Sequence, residues 1–246
     1  MSRDDAYERG SYRIGDPMPG RQRVGELFAD SVGFVRGGRT ILAGGDVSAF
    51  AGEALAGTGP SGSGKSSLLA ILAGLEPPDT GTVTIDGAPL GPGVPEGFGL
   101  VLQGYGLVSV LTAAENVEVV LMGRGLSRDE VRDRSAAVLE ATGLAEVADH
   151  MVDQLSGGQQ QRVAVARALV AEPAVLLADE FTAELDGDSS SRILQLVLGV
   201  ARRGGVVVIA THDRLVADSC DAELRLADGQ MVPVTGTSAA DTAGDP

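Results

Sequence analysis

Apolar residues along the chain fall into two kinds of run that alternate. Short unbroken ones, such as Val175-Leu176-Leu177-Ala178 and Val206 through Ala210, carry no polar residue for either face. Runs of that length read as strands of a parallel sheet covered by helices on both sides. The pattern predicts strands at Glu53–Gly57, Thr82–Asp86, Gly99–Gln103, Ala174–Asp179, Val206–Thr211 and Ala222–Ala227. Between them, apolar residues recur at three- and four-residue intervals and predict helices over Lys65–Gly74, Arg128–Thr142, Gly157–Ala171, Asp188–Arg202 and Asp213–Ser219. The stretch from about Gly104 to Met151 is mostly helical with no core strand, and reads as a helical insert beside the sheet, the helical subdomain spanning about 104–165. Residues 1–24 mix charge, Gly and Pro without a sustained period, and read as a flexible leader. Residues 235–246 have the small, polar composition of a disordered tail. That leaves one α/β domain over 25–234, without internal repeats.

Composition narrows the classes of function. The 246 residues carry 34 Asp plus Glu against 19 Lys plus Arg, a formal net charge of −15. Phosphate backbones need a basic face, so nucleic acid is excluded as a partner. One cysteine rules out a disulfide framework and a cysteine-rich zinc site, and fits a reducing compartment. No apolar run approaches the ~18 residues of a membrane span, and the first residues lack the apolar centre of a signal peptide. A cytoplasmic protein is expected.

The positive charges hold one further clue. Eighteen are Arg, and the single Lys is Lys65. Arg is a wide planar fork and Lys a compact point charge on a thin stem, so a position kept for Lys suits a narrow site for a small anion. Lys65 stands in Gly59-Pro60-Ser61-Gly62-Ser63-Gly64-Lys65-Ser66, which fits G-x-x-x-x-G-K-[ST], with Ser67 continuing into a helix. Such glycines let successive N–H groups turn inward onto phosphate oxygens, and the helix adds the positive end of its dipole. Lys65 would reach the β- and γ-phosphates of a nucleotide, and the Ser66 hydroxyl would ligate Mg²⁺. The string lies between a predicted strand and a predicted helix, where a Gly/Ser linker would not be expected.

Further along stand Leu155-Ser156-Gly157-Gly158-Gln159, then Asp179-Glu180 at the tip of a buried strand, Asp186, and His212 just past another buried strand. An Asp at a strand tip can hold Mg²⁺, and an adjacent Glu can polarise water for attack on a phosphate. Taken in this order, the motifs resemble the ATP-binding subunits of ABC transporters, over roughly Leu27 to Val234. The resemblance implies a P-loop NTPase fold with a mainly parallel sheet core, a small antiparallel β subdomain and a helical insert.

It also implies roles. Two subunits would pair head to tail around two Mg-ATP. Leu155, Ser156, Gly157, Gly158 and Gln159 would form the signature that contacts the partner's ATP, with Ser156 capping the following helix. Gln103 would be the Q-loop residue that binds Mg²⁺ with Ser66 and Asp179, Glu180 the general base, His212 the γ-phosphate switch, and Asp186 the D-loop residue. The expected partners are a second ATPase subunit, here an identical copy, and an integral membrane permease formed by a separate polypeptide. The apolar segment 107–121 suits a groove for a permease helix, which would put the protein on the inner face of the cell membrane. The strings LLADE and LTAAENV resemble the lipoprotein-release and macrolide-export branch. A soluble ABC ATPase of the iron–sulfur assembly kind and a weakly hydrolysing regulatory subunit remain as alternatives.

Three places depart from the family. Phe181 replaces the usual proline after Glu180, freeing φ and setting a ring near the expected dimer seam. Glu184 puts a negative charge in the D-loop, unfavourable near phosphates unless it points outward. The adenine-stacking aromatic falls on Arg36 or on Phe34, and either could cover a base. His150 reads as a surface residue, and Cys220 as a small core residue at a helix end.

Overall fold

The computed structural model describes Ile14 and residues 23–234, so the leader and tail inferred above lie almost wholly outside the described residues. The strands are β1 (Glu26–Arg36), β2 (Arg39–Phe50), β3 (Ala54–Thr58), β4 (Thr80–Ile85), β5 (Ala88–Pro89), β6 (Phe98–Val101), β7 (Val175–Asp179), β8 (Val206–Thr211), β9 (Ala222–Ala227) and β10 (Gln230–Val234). The helices are α1 (Lys65–Leu72), α2 (Ala113–Glu118), α3 (Arg128–Ala141), α4 (Gly157–Leu169), α5 (Gly187–Arg202) and α6 (Arg214–Asp218).

Two sheets result. The larger runs β10-β9-β3-β8-β7-β6, and every neighbouring pair is parallel except the β9–β10 hairpin. The smaller, β2-β1-β4-β5, is antiparallel throughout. The central strands bury both faces, and alternate residues go to opposite sides. Leu176, Val207 and Ile209 join a core with α3, α4 and α5, whereas Val175, Leu177, Val206 and Val208 join one with α1 and the small sheet. The segment 104–165 holds α2, α3 and the start of α4, with no strand of either sheet.

Differences from the sequence expectation have local causes. The segment expected at Thr82–Asp86 is β4, displaced to Thr80–Ile85 and paired in the antiparallel sheet, where only Val83 is buried. β1 and β2 were not expected as strands, because their apolar residues alternate with small and polar ones and break register at bulges near Val32 and Gly33. The strand expected at Gly99–Gln103 is β6, which ends at Val101 and leaves Gln103 on the loop beyond. Cys220 follows α6 half-buried, its Sγ donating to the Val216 carbonyl, and burial pushes its thiol up to about 12.

The Phe181 ring, expected near a dimer seam, is 1% exposed, the largest of the fully buried side chains among the described residues, and packs in the core with residues of α4 and α5. The turn after Glu180 is thus held by a buried ring in place of proline's fixed φ. Phe181→Ala is expected to cost about 3–5 kcal/mol of unfolding free energy; urea denaturation of the two proteins reads it directly.

Candidate nucleotide site

β3 ends at Thr58, and the chain then turns through Gly59, Gly62 and Gly64, all at positive φ. Two of these cannot carry a side chain. A Cβ at Gly59 would lie 2.1 Å from the Leu226 carbonyl oxygen, and one at Gly64 would lie 2.8 Å from Leu42 Cδ2. The loop is therefore pressed against β2 and β9 as it enters α1, whose N-terminus has no side-chain cap. Its first N–H groups are available to an anion. Lys65 is 8% exposed and Nζ donates to the Gly59 and Pro60 carbonyls at 2.9 and 3.1 Å, which lays the ammonium across the loop.

The cavity in front of this loop has a volume of about 630 Å³. Lys65, Ser66 and Ser67 line it from below, and Gln103, Asp179, Glu180 and His212 from the facing loops. Asp179 ends β7, 5% exposed. Burial raises its pKa above the ordinary carboxylate value, and the neighbouring Glu180 adds to this, while the Ser66 hydroxyl and Lys65 pull it down. Asp179 Oδ1 is buried with no hydrogen-bond partner, as is Ser63 Oγ. A buried carboxylate oxygen left open beside a serine hydroxyl is the donor set that a Mg²⁺ ion fits.

Glu180 sits in a left-handed conformation, φ 47°. Its N–H donates to the Ala210 carbonyl of β8 at 2.9 Å, and its carboxylate oxygens both lie 2.9 Å from Nδ1 of His212. The imidazole is mostly exposed and Glu180 mostly buried, so the pair faces the cavity from its rim. Such a carboxylate can accept a proton from a water in the cavity, with the imidazole beside it to orient that water.

The signature segment lies apart from this cavity. Leu155 is buried, and Ser156 caps α4 with a reciprocal box: its N–H donates to Gln159 Oε1 at 2.8 Å and its Oγ accepts from the Gln159 N–H at 3.3 Å. Gly158 is needed within the chain itself, since its clash would be with backbone, whereas at Gly157 the end of the exposed Glu184 side chain could move aside. A Cβ on Gly157 would lie 1.9 Å from Glu184 Oε2, and one on Gly158 would lie 2.8 Å from the Glu184 carbonyl oxygen. Glu184 therefore lies along the start of α4, where burial first and the nearby Glu184 carboxylate second push the Tyr105 phenol up to about 12. Glu184 nonetheless remains solvent-exposed. Asp186 caps α5, accepting from the Ser189 N–H at 2.8 Å, and these bonds hold its carboxyl below the usual range.

The structure does not bring Arg36 or Phe34 to the cavity. Phe34 is 6% exposed in the core of the small sheet, and Arg36 lies over its ring at 5.2 Å in an ion pair with Glu76. Ile41 lines the cavity mouth instead, on β2. Sequence spacing could not find it, since a bulged strand shifts which residues face the loop. Gln161 was also missed. It is buried on α4 and hydrogen-bonded to the backbone of both Glu180 and Glu184. His150 is exposed.

A family model described as ABC transporter matches residues 42–183. The macrolide export ATP-binding/permease protein MacB 1/2 of Paracoccus denitrificans is 41% identical over 237 residues, covering 92% of this chain and 35% of that protein. The ABC transporter ATP-binding protein YbbA of Escherichia coli, itself uncharacterized, is 43% identical over 201 residues, 78% of this chain and 88% of the relative. A bacterial ABC transporter cassette, MJ0796, solved as a dimer, superposes with a TM-score of 0.78 at 34% identity over 83% of this chain and 96% of its own. It has also been solved in a post-hydrolysis state bound to ADP and Pi. The chain thus spans about a third of the macrolide exporter and most of the two cassettes.

The raised pKa of Asp179 has a thermodynamic sign. A carboxyl harder to ionise folded than unfolded costs nothing below its unfolded pKa and its full penalty above its folded one. Without nucleotide or Mg²⁺, Asp179→Asn is therefore expected to melt higher than the parent at pH 7, with the difference closing as pH falls toward 4. Thermal melts at the two pH values measure this, and a variant that melts lower at pH 7 contradicts it.

Proposed function

The chain belongs to the ABC transporter family as an ATPase cassette of the macrolide-export type, and from that premise we propose that two copies close head to tail on two ATP molecules and drive an integral membrane permease. The observation that carries the hydrolytic part is the Glu180–His212 pair at 2.9 Å, on the rim of the cavity above Lys65 and Asp179.

On binding, the triphosphate would lie along the amides of Gly59 through Ser67, and Lys65 would exchange its two carbonyl partners for phosphate oxygens. Ser66, Asp179 and Gln103 would hold Mg²⁺, which supplies neutralising charge on the phosphates when bound. Glu180 would accept the proton of the attacking water as its oxygen bonds to the γ-phosphorus and the β,γ-bridging P–O bond breaks, giving ADP and phosphate. His212 would keep that water and the γ-phosphate in line. Ser156, Gly157 and Gly158 would contact the partner's γ-phosphate from the start of α4, where the helix dipole is positive.

Transport, as opposed to a soluble role, is favoured by one surface. Val108, Val110, Val119 and Met122, flanking α2 on either side, are 43, 74, 39 and 67% exposed. Four apolar side chains presented by the insert suit a short helix of a permease in the groove. No helix among the described residues is long and apolar enough to cross a membrane, and the protein would sit on the inner membrane face through this contact. Export is the direction suggested by the macrolide-export relatives.

Two results test the proposal. Glu180→Gln is expected to lower the ATPase rate by about 10²- to 10³-fold while leaving ATP binding intact, and to accumulate an ATP-dependent dimer visible by light scattering. An unchanged rate removes Glu180 as the base. Val110→Asp with Met122→Glu is expected to keep the basal ATPase rate and lose co-purification of a multi-span protein from solubilised membranes. Recovery of only soluble proteins with the parent chain would rule out the transport role.

A further inference from the structure

Gln161 has every polar atom of its side chain engaged in a place where the sequence offers no motif for it. It lies on α4 four residues beyond Gly157, 3% exposed. Nε2 donates to the Glu180 carbonyl at 2.8 Å, and Oε1 accepts from the Glu184 N–H at 3.0 Å. The partners dictate how the amide is turned, because a carbonyl needs a donor and an N–H needs an acceptor. Glu lacks the donor and Asn is a methylene short, so the bridge is specific to Gln.

What it grips is strained. Glu180 holds φ 47°, a left-handed conformation unfavourable for a non-glycine residue. Such a residue keeps its geometry only where its surroundings impose it. The Glu180 N–H is tied to β8 through Ala210, and its carbonyl is tied to α4 through Gln161. The Ala183 N–H adds a longer bond to the same carbonyl, 3.2 Å. The direction in which Cα–Cβ of Glu180 leaves the backbone, and hence where its carboxylate meets His212, is set between those two ties.

We propose that Gln161 is a positioning residue for hydrolysis: by holding the Glu180 carbonyl and the Glu184 N–H it aims the Glu180 carboxylate at the attacking water. This rests on Glu180 being the general base. Misplacement of a reacting group by about 1 Å costs on the order of 100-fold in rate with little effect on binding.

The test uses Gln161→Glu, which keeps the size and one acceptor but loses the donor to Glu180, and Gln161→Met, which keeps the length without an amide. Steady-state kcat and KM for ATP, and ATP affinity measured directly, are compared with the parent, alone and in the Glu180→Gln background. The expected result is a kcat lowered about 10- to 100-fold with KM and affinity within about twofold. In the Glu180→Gln background the same substitutions should change the residual rate by less than about twofold, because residues acting through one another are not additive. A kcat within twofold of the parent in both variants overturns the proposal. So does an equal loss in the Glu180→Gln background, or a proportional loss of ATP affinity, either of which marks a general structural role. Failure of both variants to fold overturns it on the same ground. Absence of ATP turnover in the parent protein itself would instead remove the hydrolytic assignment beneath it.

Discussion

Parallel strands buried on both faces must end together, and whatever follows them is delivered to one edge. β3, β8 and β7 lie side by side, with Thr58 opposite Thr211 and Asp179 opposite Ala210. The phosphate loop follows the first, His212 the second, and Glu180 the third. Three segments far apart in sequence are therefore gathered by the hydrogen-bond register of a sheet whose side chains are almost wholly aliphatic. Open α/β sheets bind ligands at the carboxyl ends of their strands for this reason. Slipping one strand by a residue would turn Asp179 away from Lys65 and put its neighbour against the core.

The edge is also where the molecule keeps its uncomfortable groups. Lys65 and Asp179 are buried charges, Asp179 Oδ1 and Ser63 Oγ are buried without partners, and Glu180 is held in a left-handed conformation. Each feature is unfavourable in a framework and reasonable where a nucleotide and a cation bring opposite charge and hydrogen-bond partners. The surrounding aliphatic packing, which runs without polar interruption through the central strands, supplies the rigidity that keeps them in place.

α4 joins this edge to the rest of the fold. Its N-terminus presents the signature glycines, and its buried side supports the turn after β7 through Gln161 and the core in which Phe181 packs. The departures from the family pattern are absorbed there. Phe181 anchors by burial a turn that proline would restrict covalently, and Glu184 lies along Gly157 while staying exposed to solvent. Because the Glu184 carbonyl passes so close to Gly158, that glycine serves the packing of this chain whatever it does toward a partner.

Much of this was legible from the residues in order. The G-x-x-x-x-G-K-S string, the unbroken apolar strands and the Ser156 cap are local patterns, fixed by φ/ψ needs and burial within a few positions, so sequence determined them. It also determined the ATPase family, since those strings recur in a set order. β1 and β2 were hidden because a bulged, one-sided strand has no clean period, and with them went the register that buries Phe34, pairs Arg36 with Glu76 and turns Ile41 to the cavity. The burial of Phe181, the approach of Glu184 to the start of α4 and the bridge made by Gln161 were likewise decided only by tertiary structure. Each depends on which face of α4 meets which turn of a strand 19 or more residues away. A side chain's partner across such a gap is chosen by packing in three dimensions, for which linear spacing carries no signal.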